Sequence, residues 1–178
     1  MRFVQLACFA RLMPFTSPMK PIETVIRVTQ PNDSGVAPLL AALDAYLYQQ
    51  YPVDEFAHDV NHILSPAALQ QPNVTFLAAW QGNHALGCGA LRQVDGGAYG
   101  EIKRMFVAPA ARGERIGQRL LAALETQARA NGLTLLKLEA GTRQPEALRL
   151  YERAGFGLCE RFGDYAPNPV SVYLEKLL

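Results

Sequence analysis

Apolar residues recur every second position in some stretches of this chain and every third or fourth in others, and the changes of period mark its elements. Residues 23–30, ETVIRVTQ, alternate as a strand does, and Pro31 closes them. Val36, Leu39, Leu40, Leu43 and Leu47 then fall at helical spacing, with Asp33 or Ser34 as the candidate cap. Ser65-Pro66 opens a further short helix. Residues 73–80, 84–94 and 99–107 read as three strands separated by Gln81-Gly82-Asn83 and Asp95-Gly96-Gly97, tight turns that specify an antiparallel meander. Gly87 and Gly89 inside the middle strand predict a bulge or a close backbone approach. Ile116, Leu120, Leu121, Leu124 and Ala128 form the stripe of a long helix that stops at Asn131-Gly132. Residues 133–140 are the next strand. A helix precedes it, so it should lie parallel to 101–107. A helix opened by Pro145 and ended by Gly155, then strands over 156–162 and 170–176 joined by GDYAPNP, complete the order β, α, α, β, β, β, α, β, α, β, β. This is a mixed α/β (α+β) fold around one twisted sheet.

Candidate chemistry gathers in the loop before the long helix. The first turn of a helix leaves about four N–H groups unpaired, backed by roughly half a positive charge. Gly113 has no Cβ to keep a ligand from the backbone, and Arg112 and Arg115 add two cations. That combination suits a phosphate or diphosphate; an ordinary turn with solvated arginines has the same residues. No Gly-Lys-Ser/Thr follows, so it is not a Walker loop, and it is not GxGxxG.

The segment ARGERIGQRLL, residues 111–121, resembles the acyl-CoA loop of the GNAT superfamily of N-acetyltransferases, whose pattern is Arg/Gln-x-x-Gly-x-Gly/Ala. Arg112, Ile116 and Gly117 match, Arg115 replaces the middle glycine, and Gly113 gives the common Arg-Gly form. EALRLYERAGF, residues 146–156, is a second family feature, and the resemblance extends over about 22–178.

The resemblance implies a GNAT-like sheet whose central parallel strands splay apart around acetyl-CoA, the co-substrate. By position, Met105 and Val107 would bond the pantetheine arm, and the Met105 amide could polarise the thioester carbonyl. Arg112, Gly113, Glu114, Arg115, Ile116, Gly117 and Gln118 would surround the diphosphate. Gln144 and Leu148 would line the pantetheine. The implied reaction is direct attack of a neutral amine on the thioester. Tyr151 would protonate or stabilise the leaving thiolate; otherwise it packs its helix on the sheet. Glu101 would take the amine's proton, directly or through water, with Glu139 as the alternative. An ion pair to Lys103, Arg104 or Lys137 is the competing role for either carboxylate. The expected acceptor is a small-molecule amine. A protein or peptide acceptor, or a non-catalytic acyl-CoA-binding domain, are the alternatives, and a homodimer is compatible with all three. Lys103 and Arg104 flank the cleft, and strand alternation places them on opposite faces, so an inward one would imply an anionic group on the acceptor. Tyr46, Tyr51, His58, Tyr165 and Tyr173 are candidates to shape its pocket.

Composition narrows the partners. A net charge of +1 favours neither nucleic acid nor an anionic membrane. No apolar run approaches the roughly 20 residues needed to cross a bilayer. Cys8, Cys88 and Cys159 have no paired spacing, which points to reduced thiols in the cytoplasm and away from structural zinc. His58 and His62 lie four apart beside Asp59, but HDVNH is not HExxH, and no metal is expected. Residues 1–20 read as a poorly ordered extension, with Met19 an alternative start, and 21–178 as the acetyltransferase domain.

Overall fold

The computed structural model describes residues 23–51 and 63–178. The predicted extension, Cys8 and the His58-Asp59-His62 group lie outside them. Seven strands form one mixed sheet in the order β1-β2-β3-β4-β5-β7-β6. Strands β1 (Thr24–Val28), β2 (Val74–Gln81), β3 (His84–Val94) and β4 (Tyr99–Val107) are successively antiparallel, as the turn signals require. Strand β5 (Leu135–Gly141) is parallel to β4, and β7 (Ser171–Leu177) lies between β5 and the short β6 (Gly157–Leu158).

Helix α1 (Ala37–Gln50) covers one face of the sheet. Its Leu39, Leu40 and Leu43 bury against Phe76, Ala78, Trp80, Ala90 and Phe106. Helices α2 (Ile116–Ala130) and α3 (Pro145–Arg153) belong to the core of the other face, where Leu120, Leu121 and Leu124 meet Leu77, Leu91, Ile102, Leu136 and Leu138. Residues adjacent along β2 thus serve opposite cores, the two-sided burial of a covered strand.

Three local expectations change. Asp33 does not cap α1: its carboxylate accepts the Gly35 N–H at 2.8 Å within the preceding turn, and the helix starts at Ala37 without a side-chain cap. The helix expected from Ser65-Pro66 is a single 3₁₀ turn, Ala68–Gln70, with the Ser65 hydroxyl accepting the Ala68 N–H at 3.2 Å. The strand expected over 156–162 pairs only at Gly157 and Leu158. Beyond Cys159 the chain leaves the sheet because Phe162 turns into an aromatic group with Tyr99, Tyr165 and Tyr173, at centroid distances of 5.3–5.8 Å.

Two irregularities position the site. Strands β4 and β5 pair only at Gly100 with Leu136 and at Glu101 with Lys137, then diverge. On the other side of β4, Cys88 opposes Phe106 and Ala90 opposes Lys103, so Arg104 and Met105 together face the single residue Gly89. This is a β-bulge, with Arg104 left-handed at φ 55°. Gly89 leaves room for this turn: a Cβ would stand 2.5 Å from the Met105 sulfur, and the Met105 side chain would have to move. The bulge also corrects the alternation expected for β4. Met105 turns to the α2 core, while Arg104 joins the α1 face by pairing with Asp44 of α1 at 2.6 Å. Lys103 and Arg104 consequently line one cavity together.

Candidate active site

After β4, Pro109–Ala111 makes one 3₁₀ turn. Gly113 then takes φ 87°, and Arg115 enters α2 in the left-handed region at φ 59°, ψ 18°. That is a conformation glycine adopts without strain, and an arginine there costs about 1–2 kcal/mol. No side chain caps α2. Its leading amides and its positive dipole end therefore face an open cavity of about 560 Å³. Arg112, Gly113, Arg115, Ile116, Gly117 and Gln118 line one side, and Met105, Val107, Gln144 and Tyr151 line the rest among others. Arg112 is steadied by Glu146 at 3.6 Å and by the Tyr46 ring at 5.8 Å. Glu114 and Leu148 of the predicted set do not line the cavity. Leu148 packs on the core, and Ala147, Leu150 and Ala154 take the place expected of it. Counting helical turns outward from Tyr151 reaches Ala147 and Ala154, but it also selects Leu148 and passes over Leu150.

A smaller cavity of about 120 Å³ adjoins it between α1, β4 and β5. Leu43, Met105, Gln144 and Tyr151 line both spaces, so they stand where the two meet. Tyr51 closes one end: its hydroxyl accepts the Arg143 N–H at 3.1 Å and lies so close to Gly141 that a Cβ there would stand 1.8 Å away. Burial, and to a smaller degree the charge of Glu139, raise the Tyr51 hydroxyl above its ordinary pKa. Tyr151 is buried, with its ring edge-on to Phe156 at 5.8 Å. Burial first, then the Glu139 charge, push its hydroxyl far above the phenol range, so it stays protonated. Glu139 lines the smaller cavity from β5.

Glu101 is placed differently. It is 0% exposed and lines neither cavity. Arg92 stands 2.5 Å from one carboxylate oxygen, Lys103 3.5 Å from the other, and the Tyr165 hydroxyl donates to that second oxygen at 2.6 Å. Burial by itself raises the carboxyl pKa, but Lys103, Tyr165 and Arg92 together outweigh it and hold the group below the usual carboxylate range. The Tyr165 hydroxyl is pushed far up by burial and by Glu101. Tyr165 is thus a structural partner inside the sheet, and the loop that carries it is anchored to β4. Cys88 is buried, donates to the Arg104 carbonyl at 3.5 Å and has its thiol pushed up to about 12 by burial, partly opposed by Arg104, so it offers no thiolate.

Residues 37–156 match the sequence model of the Acetyltransferase (GNAT) family. The chain is 42% identical to the IAA acetyltransferase of Azospirillum brasilense over 158 residues, which cover 89% of this chain and 99% of that one. It is 36% identical to the uncharacterized N-acetyltransferase YsnE of Bacillus subtilis over 119 residues, 66% of this chain and 78% of that one. Among solved structures it superposes on an acyl-CoA N-acyltransferase of Klebsiella pneumoniae with a TM-score of 0.72 and 35% identity, covering 87% of this chain and 97% of that one.

Proposed function

The chain belongs to the GNAT acetyltransferase family, a family of acyltransferases that use acetyl-CoA, and on that premise we propose that it acetylates the amine of a small molecule. One observation carries this reading: the cavity under the uncapped start of α2 shares the walls Leu43, Met105, Gln144 and Tyr151 with a second cavity, which lies in the gap between β4 and β5. The residues fit the co-substrate. The α2 amides, with Arg112 and Arg115, suit a diphosphate. The strand edges of β4 and β5 that face each other beyond Glu101 and Lys137 are without ladder partners, and pantetheine amides would satisfy them. Acetyl-CoA bound there supplies an activated acyl thioester.

Met105 stands where the two cavities meet, and its backbone N–H would stabilise charge developing on a carbonyl oxygen. Glu139, on the wall of the smaller cavity, would take the proton of the incoming amine, directly or through water. Tyr151 would donate a hydrogen bond to the departing sulfur. About 120 Å³ favours a small acceptor over a peptide.

Glu101 has a structural part in this scheme. Glu101→Gln removes the charge shared by Arg92 and Lys103 and lowers stability by about 2 kcal/mol, while the folded variant still transfers acetyl groups. The pH dependence follows from the depressed folded-state pKa: the contribution is complete above the ordinary glutamate value of about 4.3 and is lost as pH falls below it. Chemical denaturation of wild type and variant at pH 7 and pH 3 checks this. The gap between the two proteins should narrow at the lower pH.

The function itself is tested by thiol release from acetyl-CoA against a panel of amines, with thermal unfolding in CoA alongside. At about 100 times its dissociation constant CoA should stabilise by about 2.7 kcal/mol. An unmoved melting temperature at millimolar CoA would remove the proposal.

A further inference from the structure

We propose that the acceptor carries a carboxylate as well as its amine, and that Arg104 binds that carboxylate. This rests on the smaller cavity being the acceptor pocket. Arg104 is 8% exposed and is held by two contacts: Nη1 donates to Asp44 at 2.6 Å, and Nη2 to the Leu40 carbonyl at 3.5 Å. Its Nε is buried and has no hydrogen-bond partner among the described residues. A guanidinium has five N–H donors, and one left unpaired in the interior is uncommon enough to ask what fills it. Asp44, its ion-pair partner, has 41% of its side chain exposed.

The charges in the cavity wall are divided between two strands. Lys103 and Arg104 come from β4, on the same side because of the bulge, and Glu139 comes from β5. Lys103 donates to the Tyr165 hydroxyl at 2.5 Å, and its ammonium has three donors in all. Leu43, Leu47 and Ile63 supply apolar wall. A molecule whose ammonium faces Glu139 and whose carboxylate faces Arg104 complements both strands, with an aliphatic or aromatic remainder against the leucines. That describes an apolar amino acid or a similar amino carboxylate.

The test compares amino acids with their primary amides, which keep the amine and the shape and lose the negative charge; the amides also have the less basic amine and so more neutral nucleophile, which works against the expected preference. Leucine and phenylalanine are set against leucinamide and phenylalaninamide in the thiol-release assay. Binding of 4-methylpentanoate and 4-methylpentanamide, which lack the amine, is measured by calorimetry in the presence of CoA. The acids should exceed the amides by at least about tenfold in kcat/KM, because a site built around a polar group penalises its absence. The carboxylate should bind at least about tenfold more tightly than its amide, and Arg104→Gln should abolish both preferences. Acid and amide treated alike by the wild-type protein overturns the proposal even where the variant does not fold. So does an acid preference that survives Arg104→Gln. Selective binding of 4-methylpentanoate without acetylation of any amine upholds the anion site and defeats the acetyl-transfer reading instead.

Discussion

Replacing Glu139 with glutamine lowers kcat/KM for acetyl transfer about 10²- to 10³-fold at neutral pH, the scale of a lost general base. An alkyl ammonium of pKa near 10.4 is neutral in only about one molecule in 10³ at that pH. Leu136, Leu138 and Ala140 of β5 point into the core, and Glu139 points away from it, so an isosteric glutamine leaves that packing alone. Glu139 lines the smaller cavity with Tyr51 and Tyr151, and its charge contributes to the raised pKa of both hydroxyls. The decisive readout is the pH profile. As pH approaches the amine's own pKa, solvent removes the proton and the deficit should shrink. A deficit that stays constant from pH 7 to 10 would mean a positioning role, and wild-type rates at pH 7 would leave the base unassigned.

Tyr151→Phe should cost about 10²-fold in kcat with little change in KM, the scale of one hydrogen-bond donor lost from a developing charge. The raised pKa of the hydroxyl shapes this expectation. A phenol so reluctant to ionise does not pass its whole proton to a thiolate of pKa near 8.5, but it remains a donor throughout the working range. The loss should therefore be flat with pH, unlike that of the Glu139 variant. Phenylalanine keeps the edge contact with Phe156, so the melting temperature should hardly move. A kcat within threefold of wild type would leave Tyr151 with packing alone.

Much of this was legible in the residue pattern. The meander, the parallel β4–β5 pair and the uncapped glycine-bearing helix start all follow from local signals: turn residues, an intervening helix, and a loop with no capping side chain ahead of Ile116. The roles of the acids were not legible. Glu101 and Glu139 are both strand glutamates near lysines, and what separates them is the company each keeps in space. Arg92, nine residues upstream, and Tyr165, far downstream, converge on Glu101 alone. The bulge was half visible. Gly89 announced a close approach, but not that the extra residue would fall at Arg104 on the neighbouring strand, since strand register is a tertiary property.

That single extra residue decides which charges line the smaller cavity. Where β4 gains Arg104, beyond the point at which its ladder with β5 has ended, the kink rolls a second cation onto the α1 side beside Lys103. A chain one residue shorter at this point would regain even pleating, send the side chain at 104 to the α2 face and leave Lys103 as the one β4 cation on the wall of the smaller cavity.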